Sequence, residues 1–398
     1  MTRTRDHDRI QRLCQALEGA GLDAIVCSLP ANVLLLTGYW PVVGTAIAMV
    51  TREGRIAVIA PEDELDLADK GWAEIRSFKP GSLDKITNAT EEARDPLREL
   101  AAELGITRAR IGYEGAMSEP ASYAGMMIYG ASMPHLLADA IPSSQQLPAD
   151  ELLLELRATK TARELDCIRR SCAVAAEAFE EASAQIRPGM METEVGALFQ
   201  GLLAVRGTHG AERAGGFVYC MSGPNAAKAY AAYARSCSRR IARGDLVLVH
   251  CNSFVDGYWT DITRTYVIGE PDARAHELRD AVFAARAVAL ATIRPEVAAK
   301  EVDQAARREL QGRGFGENFK HPTGHGVGWV AIDHNARPRL HPASPDVLAP
   351  GMVFNVEPAI YIDGFGGIRH CDMVAVTNDG AEVLTPFQSG TQEAQLAA

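Results

Sequence analysis

The stretch Asp245-Leu-Val-Leu-Val-His-Cys-Asn-Ser-Phe-Val-Asp-Gly-Tyr-Trp-Thr-Asp-Ile-Thr-Arg-Thr265 decides how the chain is read. Leu246 to Val249 is an apolar run of strand length, Asp256 and Gly257 supply turn chemistry, and Tyr258 to Val267 returns with aromatic and β-branched residues. The pattern predicts a hairpin that sets His250 and Asp261 at facing positions on neighbouring strands. A polar side chain inside a strand must find a partner or suffer costly desolvation, so a metal or a hydrogen-bond network is expected there.

Working outward, 398 residues point to two domains rather than one. The formal charge of −11 argues against nucleic acid or an anionic membrane surface as the main partner. No apolar run reaches the roughly 18 residues that span a bilayer, and the start, Met1 to Arg9, leads into a polar helix rather than a signal sequence. Cysteines 14, 27, 167, 172, 220, 237, 251 and 371 show no paired metal-knuckle spacing, and several sit in apolar stretches as buried thiols do. A reducing, cytoplasmic setting is the expectation.

Helical periodicity over 8–20 and 88–104, with short apolar runs at 23–27, 43–50, 55–59 and 110–113, predicts a small α/β domain. Residues 141–149 read as a linker, which sets the expected domains at 1–148 and 149–398. Helices are expected over 152–183, 192–205 and 273–293, and strands over 352–362 and 367–377 besides the hairpin. The second domain therefore reads as α+β, with helices on one face of a mainly antiparallel sheet.

Four polar stretches stand out. His321-Pro-Thr-Gly-His325-Gly-Val-Gly sets two imidazoles in a glycine-rich loop, and Glu357 follows the run Met352-Val-Phe-Asn-Val. Gly366-Gly-Ile-Arg369-His370-Cys371-Asp372 packs several polar groups into a strand, and Gly223-Pro-Asn-Ala-Ala-Lys-Ala-Tyr230 reads as a pocket wall. Each alone has a bland reading: a strand-end histidine satisfied by the fold, a glutamate bonding backbone before a proline, a small core thiol, an arginine in an ion pair. Together His250, Asp261, His325, Glu357 and Cys371 offer nitrogen, oxygen and sulfur donors, a set that suits a zinc- or iron-type ion better than magnesium.

From about 155 to 387 the chain resembles the pita-bread enzymes: methionine aminopeptidase, aminopeptidase P, prolidase, and the metal-free creatinase and ectoine hydrolase. The motifs that carry the likeness are Gly-Tyr-Trp-Thr-Asp-Ile-Thr-Arg-Thr, His-Pro-Thr-Gly-His-Gly-Val-Gly, Gly-Met-Val-Phe-Asn-Val-Glu-Pro and Gly-Gly-Ile-Arg-His-Cys-Asp. Asn32-Val-Leu-Leu-Leu-Thr-Gly38 resembles the creatinase/prolidase N-terminal domain. The resemblance implies two metal ions held by Asp, Asp, His, Glu and Glu. Position by position the second aspartate is Asp261, the histidine His325 and the first glutamate Glu357, whereas His250 stands at the first aspartate. Cys371 stands at the last glutamate when the extra residue of the preceding loop is placed before Gly366. The upstream catalytic histidine falls on Tyr230, and His321 matches the substrate-side histidine. The histidine that follows the ligand is displaced, with His334 and His341 as candidates.

A histidine cannot bridge two ions through one lone pair, and a thiolate rarely replaces a bridging glutamate, so one divalent ion is expected in place of two. The expected activity is hydrolysis of a small amide or Xaa-Pro-type dipeptide. Glu357 would take a proton from metal-bound water, His321 would steady the oxyanion, and Arg369 or Arg264 would hold a substrate carboxylate. Tyr230, His334 and His341 would line the substrate side. One alternative is metal-independent hydrolysis in the manner of creatinase or ectoine hydrolase, with His325 or His250 as base and Glu357 as charge partner or nucleophile. Another is a binding module without chemistry. The resemblance also implies a homodimer in which the N-terminal domain of one subunit closes the partner's site.

Overall fold

A computed structural model describes residues 5–42, 46–84, 86–87, 89–115, 133–211, 213–231, 234–330, 333 and 335–387. Two units emerge, Met1–Arg157 and Ala158–Ala398.

In the first unit α1 (His7–Gly19) starts at Asp6, whose side chain accepts from the Arg9 N–H. Then follow β1 (Ala24–Cys27), α2 (Pro30–Thr37), β2 (Ile47–Thr51), β3 (Ile56–Pro61), α3 (Leu65–Ala68), β4 (Glu74–Phe78), α4 (Ala89–Glu103), β5 (Arg110–Tyr113), α5 (Met133–Ala140), β6 (Gln145–Pro148) and α6 (Asp150–Ala158). The strands form one mixed sheet in the order β4-β3-β2-β1-β5-β6. Residues 43–45, the start of an expected strand, lie outside the described residues. The expected linker at 141–149 is corrected: Gln145 to Pro148 pair in parallel with Arg110 to Tyr113. An edge strand with a free flank tolerates proline and polar side chains, which is why its sequence reads as a loop.

The helix expected over 152–183 is two helices, α6 and α7 (Ala162–Ser183). The break is chemical: Thr161 accepts from the Glu164 N–H, and the Glu164 carboxylate accepts from the Thr161 N–H, a capping box that starts a new helix. The second unit continues with α8 (Glu192–Gly207), β7 (Ala214–Ser222), β8 (Leu246–Val255), β9 (Tyr258–Trp259), β10 (Ile262–Val267), α9 (Ala273–Thr292), α10 (Ala299–Gly312), β11 (Val353–Val356), β12 (Ala359–Ile362), β13 (Gly366–Arg369), β14 (Asp372–Val376) and β15 (Ala381–Val383). Strands β10, β8 and β7 form one antiparallel sheet with β9 attached, β11, β14 and β15 a second, and β12 and β13 a hairpin. Helix α10 escaped the sequence reading. With α9 it buries Leu278, Val282, Val302 and Leu310 in the core that Phe354, Val356 and Ile360 share. Among the described residues, no helix is long and apolar enough to cross a membrane.

Two register details place the chemistry. Asp256 (φ 48°) and Gly257 (φ 88°) both take left-handed backbone at the hairpin turn, as a two-residue connection demands. With Val255 opposite Tyr258, His250 faces Thr263 rather than Asp261, which corrects the expected pairing. Asp261 lies just before β10, diagonal to His250 and close enough for their side chains to meet. The strands expected over 352–362 and 367–377 each break once, at Glu357-Pro358 and at His370-Cys371. Pro358 has no N–H to continue a ladder, and the breaks free the side chains at these points from the pleat.

Candidate metal and active site

Three chain segments are laid side by side by backbone bonds. Asn355 N donates to His325 O (3.1 Å), Glu357 N to Thr323 O (2.8 Å), and Val327 N to Val353 O (3.1 Å), so the loop from 323 to 327 runs along β11. Cys371 N donates to Thr263 O (3.0 Å), which joins the last break to the opening hairpin. The loop fits because it carries glycine: a Cβ at Gly324 would run into the Asn355 carbonyl, and one at Gly326 into that of Arg337. Gly324→Ala is therefore expected to cost about 2 kcal/mol or more and to displace His325. A urea unfolding midpoint equal to the parent's would refute that fit. Behind the loop, the buried Asp303 carboxylate accepts from Thr323 N (3.0 Å) and Thr323 Oγ1 (2.9 Å). Arg307, one turn on, pairs with Asp303 (3.0 Å) and donates to His321 O (3.0 Å). Helix α10 thus holds the two-histidine loop at His321 and Thr323.

Asp261, Glu357 and Cys371 bring one donor atom each within 4.8 Å of one another, in a buried setting. His325 Nε2 lies 3.6 Å from Asp261 Oδ2. His325 Nδ1 sits 3.0 Å from Gly326 O, a bond that holds the ring with Nε2 toward the carboxylates. Asn355 is turned by the His325 N–H, which donates to its Oδ1 (2.7 Å), leaving Nδ2 3.4 Å from His325 Nε2. His250 lies on the other side of Asp261, Nδ1 to Oδ1 3.6 Å, but both its nitrogens already have closer partners.

Burial sets the charges against one another. It pushes His250 down to about 4, so this ring is neutral near neutral pH despite the Asp261 carboxylate. It opposes ionisation of Asp261 too, yet the surrounding imidazoles and the Arg369 guanidinium hold that carboxyl well below the usual range. With His250 neutral, the pull comes from His325 and Arg369. For His325 burial is outweighed by Asp261, and its pKa rises to about 9. Glu357 goes the other way: burial raises it to about 7, with Arg369 opposing. The Cys371 thiol is pushed well up by burial, then by the two carboxylates, and donates to Asp261 O (3.2 Å). Two carboxylates, an imidazole and a thiol crowd one buried spot, as a cation-binding cluster does.

Arg369 belongs to this group. Its Nε donates to Thr263 Oγ1 (3.0 Å) and its Nη2 to Tyr219 OH (3.0 Å), while Nη1 lies 3.8 Å from Glu357 Oε2. His321 stands beyond, its Nδ1 2.8 Å from Pro322 O and its Nε2 3.0 Å from Tyr361 OH. Tyr230, 41% exposed, packs its ring on Tyr361 with centroids 5.3 Å apart, under the Lys320 ammonium. Arg264, expected to hold a substrate carboxylate, is instead wholly buried in a pair with Asp372 (2.8 Å) and donates to Cys371 O and Thr385 O. A guanidinium with that many internal acceptors has no fork left for a ligand. His341 is exposed and accepts from Ala343 N within its own turn. His334 lies outside the described residues.

Sequence reasoning missed Asn252, Thr263, Asn355, Tyr219, Tyr361 and the Asp303–Arg307 pair. Asn355 carried the signal used for His250, a polar residue inside an apolar run. The tyrosines read as ordinary strand aromatics, and Asp303–Arg307 as a surface helix pair at i,i+4.

Comparison with known proteins identifies the family. Residues 166–378 match the model of metallopeptidase family M24, and residues 9–159 that of the creatinase/prolidase N-terminal domain. An Xaa-Pro dipeptidase of Pyrococcus furiosus is 29% identical over 378 residues, 95% of this chain and 97% of its own length. The probable dipeptidase PepE of Mycobacterium bovis is 33% identical over 71% of this chain and 75% of its own. Among solved structures, an Xaa-Pro dipeptidase from Bacillus anthracis superposes with a TM-score of 0.78 at 27% identity, over 96% of this chain and 98% of that one. The prolidase of Pyrococcus horikoshii OT3 gives a TM-score of 0.75 at 26% identity, over 96% and 99%. The second unit is thus a pita-bread domain and the first a creatinase/prolidase N-terminal domain, and the chain is a hydrolase of metallopeptidase family M24, whose chemistry calls for a divalent metal.

Proposed function

We propose that this protein hydrolyses an Xaa-Pro-type dipeptide, or a small amide like it, at a site built for a single divalent ion of the zinc or iron type. The observation that carries the reading is the convergence of Asp261, Glu357 and Cys371 within 4.8 Å, with His325 Nε2 beside Asp261. One nitrogen, two carboxylates and one sulfur suit such an ion. A second ion lacks a matching set, because His250 has both nitrogens engaged and stands where a chelating carboxylate would be needed. The names of the relatives support the dipeptide substrate.

Asp261, His325, Glu357 and Cys371 would hold the cofactor, which supplies Lewis acidity and a water acidified toward neutral pH. Glu357 would accept a proton from the attacking water through the carboxylate oxygen not on the ion, and hand it to the leaving nitrogen. Arg369 Nη1, with Nε and Nη2 committed to Thr263 and Tyr219, is turned toward Glu357 and meets a substrate oxygen, a carboxylate by preference. His321, braced by Pro322 O and the Tyr361 hydroxyl, orients the substrate side, with the Tyr361–Tyr230 pair as its wall.

The test is metal content and activity together. The purified protein should bind about one zinc or iron per chain, lose most of it as Cys371→Ser, and cleave Xaa-Pro dipeptides only when loaded. Two tightly bound ions per chain would overturn the single-ion site. Full activity after exhaustive chelation would transfer the reading to metal-independent hydrolysis. One observation favours that second reading: the Asp261–His325 pair at 3.6 Å is charge-balanced by itself.

A further inference from the structure

A hydrogen-bonded string runs behind the site from Arg369 through Thr263 and His250 to Asn252. Thr263 Oγ1 lies 3.0 Å from His250 Nδ1 and 3.0 Å from Arg369 Nε. His250 Nε2 lies 2.9 Å from Asn252 Oδ1, and Asn252 Nδ2 donates to Thr260 O at 3.4 Å. The asparagine end sets the direction of the string. Arg369 Nε can only donate, so Thr263 Oγ1 accepts there, which leaves its hydroxyl hydrogen and a second lone pair for His250 Nδ1. From the other end, the bond to Thr260 O turns the Asn252 amide so that Oδ1 faces the ring and accepts from Nε2–H. The asparagine end thus puts a hydrogen on Nε2, and the string closes on a neutral ring whose Nδ1 lone pair takes the Thr263 hydroxyl hydrogen. The Tyr219 ring covers this imidazole at 4.7 Å between centroids, and its hydroxyl accepts from the same Arg369.

We propose that Thr263 is a positioning residue that couples Arg369 to His250, locking the imidazole in its Nε2–H form outside the metal ligands and aiming Arg369 Nη1 at the substrate. The second half of this inference rests on the role given above to Arg369. Without the hydroxyl, Arg369 Nε loses its acceptor and the guanidinium is free to swing. His250 Nδ1 is then free to take the hydrogen and turn it on Asp261 Oδ1, 3.6 Å away.

The test uses the full-length protein with 15N-labelled histidine. In the parent, the His250 nitrogen shifts should report an Nε2–H tautomer, assigned against His250→Gln, and should stay the same when zinc is added. In Thr263→Val the tautomer should change to Nδ1–H. KM for an Xaa-Pro dipeptide should rise roughly tenfold with much less change in kcat, the size of one lost hydrogen bond to a charged group. Thr263→Ser should restore both readouts. An Nδ1–H or zinc-shifted His250 in the parent overturns the lock, and needs no variant that folds. A folded Thr263→Val with the parent's tautomer or the parent's KM overturns the coupling. Should the parent cleave no Xaa-Pro dipeptide, the functional reading fails while the tautomer result still decides the lock.

Discussion

Glu357→Gln should fold like the parent and lose roughly 100- to 10,000-fold in kcat/KM, the range that removal of a general base produces. The carboxylate is buried, its backbone is fixed by Thr323 O, and it lies beside the Arg369 guanidinium on the substrate side of the cluster proposed above. Asp261, the nearest substitute, is held well below the usual carboxylate range by its cationic neighbours. The amide keeps the shape and one oxygen donor but accepts no proton, so the loss should fall mainly on kcat. Steady-state kinetics under metal saturation read the effect. A loss smaller than tenfold, with metal content unchanged, would show that Glu357 is not the base.

Arg264→Met should be the most destabilising of the single changes considered, at about 3–5 kcal/mol. Arg264 and Asp372 are both wholly buried and 2.8 Å apart, and Thr385 Oγ1, Arg286 and His370 also reach the carboxylate. Removing the arginine strips Asp372 of one of two guanidiniums and takes a side-chain donor from the Cys371 and Thr385 carbonyls, inside the buried core. Urea denaturation measures the cost. A shift below about 1 kcal/mol would place the pair among those whose attraction barely offsets desolvation. Since Arg264 stands outside the ligand cluster, the folded fraction should keep its metal affinity, which separates this residue from Arg369.

Much of this protein could be read from the chain alone. The apolar runs, the Asp256-Gly257 turn and the glycine-rich histidine loop are local patterns, and local sterics and patterning suffice to produce the hairpin, the helices and the two-domain order. Asp261, Glu357 and Cys371 could be singled out because a polar residue inside or beside an apolar run is anomalous wherever it lies, and His325 because it shares a glycine-rich loop with His321. What the side chains do once together depended on long-range packing. Register set His250 against Thr263, and the Thr263 and Asn252 bonds occupy both its nitrogens. The antiparallel pairing of β11 with β14 brought Asp372 into the core, where Arg264 meets it, while Arg369 lies beside Glu357. Both arginines look alike in sequence. Which one faces the site is decided by which finds enough buried acceptors, and only the tertiary structure brings those acceptors into reach.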